Sequence, residues 1–323
     1  MYLNGRLVHR AQAQGPLWNS TRTPLWMVLD RHQAQTLPVH EILLRVEHSA
    51  KSQVAVSSLW LGPEQVLKAR YGIRHWLQLE LPAMLSAAFL AVGVFALCVW
   101  ARRRHETGYL LFFALAVASF LRSLHFYVDR PVSNDWFAWL TVNSLFWLVI
   151  TLHLFLRLVH GKALVWLTRS LVTSTLLIGL LTLPALAVLP NTPKVTPLVY
   201  ALAGALGTLV ALVGGVTAWR TSREGRLVAS GFVACILFGL SDWLLQNNFV
   251  SPESLYFGAY ANAVTFLVFG GLMYRRYTHA ISAVEELNAH LADRLRAREA
   301  ELEQSHQRLR EVERQQTLSR ERQ

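Results

Sequence analysis

The apolar and polar positions divide the chain into three regions of different rhythm. Residues 1–80 alternate in short bursts. "YLNGRLV" (2–8) places Asn4-Gly5 between two apolar-leaning pieces, the strongest short-range hairpin signal. "PLWMVL" (24–29), "EILLRVE" (41–47) and "VAVSSLWL" (54–61) follow as strand candidates, and Gly62-Pro63 ends the pattern. The prediction is part of a β-sandwich, because a hairpin turning at residue 4 leaves its first strand almost no length.

From residue 81 the rhythm gives way to long apolar runs. Seven can be placed, near 81–100, 109–128, 136–158, 166–189, 197–219, 226–246 and 255–274. Each is close to the roughly 20 residues that a helix needs to cross a bilayer. From residue 278 the chain has neither Gly nor Pro, and acidic and basic residues alternate. A heptad runs through this tail, with Ile281, Asn288, Leu295, Leu302 and Leu309 at a and Val284, Leu291, Arg298, Ser305 and Val312 at d. The pattern predicts a parallel coiled coil, hence a homodimer, with Asn288 as a register-setting polar residue. A solvated single helix laced with charge pairs is the alternative. The last residues, "QQTLSRERQ" (315–323), hold no helix-ending signal.

The expected fold is thus a mainly α membrane protein. A partial extracytoplasmic β-rich domain, sandwich-like, covers 1–80; a seven-transmembrane helix bundle covers 81–277; a cytoplasmic charged helix covers 278–323. Composition agrees. The 323 residues are 53% hydrophobic and 16% charged, with mean hydropathy +0.30, too apolar for an ordinary soluble domain. The net charge of +11 invites a nucleic-acid reading, but the basic residues lie in short clusters between apolar runs, and no soluble domain is left to carry a basic face.

Those clusters orient the chain. The breaks after the first, third, fifth and seventh runs hold Arg102, Arg103 and Arg104; Arg157 and Lys162; Arg220, Arg223 and Arg226; and Arg275 and Arg276. The other breaks hold Arg130 and Lys194, with Asp129, Asp135 and Glu253. The positive-inside rule puts the first set in the cytoplasm, the β-rich segment outside and the tail inside.

Candidate chemistry is sparse. There is no HExxH, CxxC, P-loop or GxSxG, so no catalytic residue and no cofactor are expected. Cys98 and Cys235 both sit in apolar runs and read as small hydrophobes. His32, His40 and His48 lack a convincing ligand spacing, and no metal is expected. Polar residues inside the runs carry more information, because the membrane penalises them. Arg122 and His125 lie in the second, Asn143 and His153 in the third, and Asp242 in the sixth. At 1.5 Å per residue, Arg122 lies about 20 Å and Asp242 about 24 Å from the cytoplasmic starts of their runs. An Arg122–Asp242 pair would neutralise both charges, with His125, Asn143 and Tyr260 able to join. A static inter-helix lock, snorkelling toward the outer headgroups and a ligand-sensing cluster are all open. Small residues such as Ala203, Gly207, Gly214, Gly215, Gly270 and Gly271 would permit close helix contact.

The order of outer β-rich segment, seven spans and charged helix resembles the bacterial seven-transmembrane receptors with diverse intracellular signalling modules. The stretches that carry the resemblance are "YLNG" (2–5), "SLWLGPEQVL" (58–67) leading to "LQLELP" (77–82), "LRSLHFYV" (121–128), "SDWLL" (241–245), "SLYFGAY" (254–260) and "ELNAHLADRLRAREAELEQSHQRLREVE" (286–313). The resemblance implies a multi-pass protein of the bacterial inner membrane. Its outer jelly-roll would resemble carbohydrate-binding modules and take a small-molecule or carbohydrate ligand. The tail looks most like the linker before the dimerisation helix of a histidine kinase, which would signal to a response regulator. A diguanylate cyclase is the alternative output; a transporter or a standalone membrane scaffold is a more distant one. Measured against the family, the chain is expected to be truncated at both ends, with its kinase module beyond residue 323.

Overall fold

The computed structural model describes residues 1–10, 24–29, 41–46, 56–128, 134–190, 192, 195–246, 249–251 and 253–321. The chain divides into two compact units, Met1–Gly270 and Gly271–Gln323.

The first unit opens with a small sheet of three two-residue strands, β1 (Tyr2–Leu3), β2 (Arg6–Leu7) and β3 (Ile42–Leu43), antiparallel in the order β2-β1-β3. The hairpin expected at Asn4-Gly5 is present. Tyr2 pairs with Leu7 and Leu3 with Arg6, and both turn residues have positive φ, 49° at Asn4 and 78° at Gly5. Two positive φ values in a two-residue loop give the turn whose twist matches the strands. Asn4 also accepts from the Glu41 N–H through its side chain at 2.9 Å, which holds β3 against β1. The strand expected at 24–29 is not formed, nor is one in 56–61, the described part of the candidate at 54–61. Leu25, Val28, Leu59, Trp60 and Leu61 are exposed. An apolar run becomes a strand only where a neighbouring ladder receives it, and no such ladder exists among the described residues.

Residues 64–80, expected within the β-rich segment, are helical. Helix α1 (Glu64–His75) passes through a π-helical turn (Trp76–Glu80) into α2 (Leu81–Arg102). Pro63, at φ −58° and ψ 133°, precedes the first turn, and Glu64 occupies that turn. A proline of this φ and an acidic residue at a helix N-terminus both favour initiation there. Helix therefore begins at Glu64, ahead of the first expected apolar run.

The remaining helices are α3 (Thr107–Tyr127), α4 (Asn134–His160), α5 (Val165–Leu181), α6 (Val195–Val210), α7 (Val216–Thr221), α8 (Arg223–Gln246) and α9 (Ala261–Glu321). A π turn (Ala211–Gly215) joins α6 to α7, and a 3₁₀ turn (Phe257–Tyr260) precedes α9. Among the described residues, six helices are long and apolar enough to cross a membrane: Glu64–Arg102, Thr107–Tyr127, Asp135–His160, Val195–Thr221, Arg223–Leu245 and Phe257–His306. These are the lengths and apolarity of a multi-pass membrane protein. The expected fourth span, 166–189, forms a helix of only 17 residues that ends at Leu181. Pro184 explains the stop, since it has no N–H to donate and disfavours helical backbone in the residue before it. The chain instead folds back, with the Leu189 N–H donating to Leu181 O at 3.0 Å.

Helix α4 is the centre of the unit, packing against α3, α5, α6, α7 and α8. Half of its apolar window is buried, against 6% for α8. Phe89 of α2 is buried and meets Phe112 of α3 edge-on at 5.6 Å and Phe266 of α9 at 5.8 Å. Phe155 of α4 meets Phe269 at 4.6 Å. Lipid tails are as apolar as these rings, so shape-matched packing rather than escape from water holds such helices together. Close approaches lie mostly at glycines other than those expected, among them Gly225, where a Cβ would run into the Ala218 backbone. A Cβ on Gly93 would fall 2.5 Å from the Ala116 Cβ, and one on Gly231 2.7 Å from Val268 Cγ2. Gly214, which was expected, would meet Leu156 Cδ1 at 2.8 Å, whereas Gly215 and Gly271 face open space.

The second unit is helical to Glu321, so the helix that begins at Ala261 is uninterrupted for 61 residues. Ile281, Val284, Leu291, Leu295 and Leu302 are exposed on it, and so is Asn288. Leu309 and Val312 lie in the helix, with side chains outside the described residues. Two i,i+3 ion pairs, Arg296–Asp293 at 3.3 Å and Arg298–Glu301 at 3.4 Å, support the helix locally. Exposed pairs of this kind contribute only a few tenths of a kcal/mol each.

Candidate functional site

The polar residues singled out in the sequence fall into separate groups rather than one cluster. Arg122 and His125 share a face of α3, as i,i+3 spacing requires. The Arg122 Nη1 lies 3.3 Å from His125 Nδ1 and donates to the Tyr200 hydroxyl of α6 at 3.3 Å. The guanidinium carbon stands 5.2 Å from the Tyr200 ring, within cation–π range.

Asp242 has a different role. Its Oδ2 accepts the Gly258 N–H at 3.0 Å, in the first turn of the 3₁₀ segment that leads into α9. A carboxylate at this position answers the positive end of the following helix. It also explains Gly258, because a Cβ there would run into the Asp242 carboxylate. No ion pair joins Arg122 to Asp242 among the described residues. Equal depth on two helices brings side chains together only if their faces also meet.

Asn143 is fully buried in α4, where its Nδ2 donates to Trp139 O at 3.0 Å and to Thr182 Oγ1 at 3.1 Å. It ties α4 to the end of the short helix α5 and takes no part in the Arg122 group. His153, also fully buried, has Nε2 2.8 Å from Thr168 Oγ1 of α5. The Tyr260 hydroxyl donates to Leu77 O, joining the entrance of α9 to the π turn before α2.

One buried node that ties three helices was not among the expected residues. Asn262, in the first turn of α9 and 4% exposed, donates through Nδ2 to Ser86 Oγ of α2 at 3.0 Å and to Ser123 Oγ of α3 at 2.7 Å. Ser123 in turn donates to Ser119 O at 2.8 Å. Three helices are thereby tied through one amide. The signal was an uncharged polar residue within an apolar run, less conspicuous than Arg122 or Asp242.

Outside the spans, a clasp joins the stretch before α1 to the loop before α9. The Trp60 Nε1 donates to Glu253 Oε1 at 3.1 Å, and Arg74 Nη2 donates to Glu253 O at 2.9 Å. The Arg70 guanidinium carbon lies 3.4 Å from the Trp60 ring centroid. Hydrogen bonds from Ser58 and Trp60 hold the Glu253 carboxyl below the usual carboxylate range, with smaller contributions from Arg74 and Arg70. A crevice beside this region is lined by Leu77, Gln78, Phe126, Leu255 and Tyr256. No group of metal-ligating side chains occurs among the described residues; His32, His40 and His48 lie outside them. Neither a protein-family model, nor a curated protein, nor a solved structure matches the chain.

The entrance of α9 is the common element of these contacts. Within Glu253–Asn262, contacts run to Trp60 and Arg74, to Asp242, to Leu77, and to Ser86 and Ser123. These contacts tie the preceding segments to the start of one long helix.

Proposed function

We propose that the chain is the membrane sensor portion of a signalling receptor. In this reading a bacterial inner-membrane bundle counts the short helix α5 as its seventh span. The β-bearing end faces outside and the charged tail faces the cytoplasm, where it dimerises as a parallel coiled coil and drives a histidine kinase module and its response regulator. The observation that carries the reading is the single helix from Ala261 to Glu321, with polar ties from four other segments gathered at its first turn and the loop just before it. A shift at those ties acts on the element that reaches the output. A ligand can move such a balance only by its differential affinity for the two arrangements.

The test is a phase experiment. Residues 1–321 are fused to the catalytic module of a membrane histidine kinase, with one to seven residues inserted after Glu321, and autophosphorylation is measured in isolated membranes. A coil that transmits rotation gives activity that rises and falls with the heptad. Activity indifferent to insert length sinks the relay. Cysteines placed at Leu295 and Leu302 should cross-link between copies, whereas one at Arg294 should not.

A further inference from the structure

A guanidinium offers five N–H donors, and its charge is costly at membrane depth. Among the described residues, Arg122 forms no ion pair with any carboxylate. Its two side-chain contacts are unequal. The His125 Nδ1 also lies against the Arg122 carbonyl oxygen, to which it donates. A ring nitrogen that carries this proton has no lone pair left for the guanidinium. Among the described residues the Tyr200 hydroxyl is then the one side-chain acceptor for Nη1, and none accepts from the rest of the fork. Arg122 and Tyr200 are both partly exposed rather than sealed. Arg122 is also close to a helix end, about 7.5 Å along the axis from Tyr127, so its stem can carry the charge to headgroup depth.

We propose that Arg122 and Tyr200 form a binding site for an oxyanion, a phosphate or carboxylate group, at the outer end of the bundle. The guanidinium supplies a planar fork that matches such groups. Tyr200 accepts from Nη1, fixing the plane of the fork, and has its own O–H to donate to the anion. The same chemistry is offered by a lipid phosphate of the surrounding leaflet and by a small soluble anion. The proposal supplies a ligand class for the receptor reading and rests on it for any consequence in signalling. Occupancy itself is measured without an output, so an empty site and a failed relay are distinguishable.

The test uses the wild-type chain purified in dodecyl maltoside, a detergent without phosphate. Arginines are modified with phenylglyoxal, and labelling of Arg122 is quantified by mass spectrometry against exposed Arg220. Phosphatidylglycerol, a diglucosyl lipid without phosphate, inorganic phosphate and acetate are added in separate arms. An oxyanion held by the fork lowers Arg122 labelling by about tenfold relative to Arg220, the factor expected of one charge-assisted pair. Protection by phosphatidylglycerol alone identifies a lipid phosphate; protection by phosphate or acetate identifies a soluble anion. The proposal is overturned if no anion protects Arg122, if the diglucosyl lipid protects equally, if Arg220 is protected to the same degree, or if Arg122 is unreactive in maltoside alone, since a closed guanidinium cannot admit an anion.

Discussion

Replacing Asn262 by alanine removes one amide and with it two inter-helix hydrogen bonds, at 3.0 Å to Ser86 and 2.7 Å to Ser123. Inter-helix hydrogen bonds in membranes average about 0.6 kcal/mol and reach about 1.7. The expected loss is therefore about 1–2 kcal/mol, a roughly tenfold change in the folding equilibrium. Orphaned partners add little to this loss, because Ser123 keeps its bond to Ser119 O. The assay is equilibrium unfolding of the purified chain in mixed micelles of mild detergent and dodecyl sulfate. Thr208 bonds only within its own helix, to Gly204 O, and is exposed, so Thr208→Ala should fall within about 0.5 kcal/mol of wild type.

The cycle decides whether the amide acts through the two serines. Ser86→Ala and Ser123→Ala should each cost about 0.6 kcal/mol, and Asn262→Ala added to the double serine variant should cost little more. The reasoning is refuted if Asn262→Ala shifts stability by less than about 0.3 kcal/mol, or if its effect is undiminished when both serines are gone.

Three further outcomes follow from the geometry. Gly258→Ala should lower the folded yield, because the new methyl meets the Asp242 carboxylate, and Asp242→Ala in the same chain should restore part of it; a yield unchanged by Gly258→Ala refutes the close approach. Gly231→Leu should destabilise by about 1–3 kcal/mol through overpacking against Val268, relieved by Val268→Ala in the same unfolding assay. The Glu253 clasp should depend on pH: its carboxyl is held below its ordinary value in the fold, so its contribution is complete above the ordinary carboxylate range and is lost as pH falls through the depressed value. Proteolysis of the stretch around Trp60 should therefore increase toward acid in wild type, and Glu253→Gln should lose that dependence.

What the sequence revealed, and what it hid, follow from how far each signal reaches. Asn4-Gly5 is self-contained, since two positive φ values decide the turn without reference to the rest of the chain. An apolar run likewise carries its own length, and most of the helices begin and end within a few residues of the runs that predict them. Errors arise where an element depends on something outside itself. The candidates at 24–29 and 56–61 have the composition of strands but need a ladder to join. Helix α1 was hidden because its N-terminal signal, Pro63-Glu64, reads equally well as a turn after a strand. The largest loss concerns partners across helices. A sequence gives depth along each span, at 1.5 Å per residue, but not the angle at which one span faces another. Arg122 and Asp242 match in depth, and opposite charge made them look like partners, yet Tyr200 takes the first and the Gly258 N–H takes the second. Arg122 meets a ring and a hydroxyl, and Asp242 meets a helix start. Ranking intramembrane polar residues by charge therefore passes over Asn262. An uncharged amide costs less to bury than an ion and can bridge two hydroxyls at once, which suits it to tie three helices together.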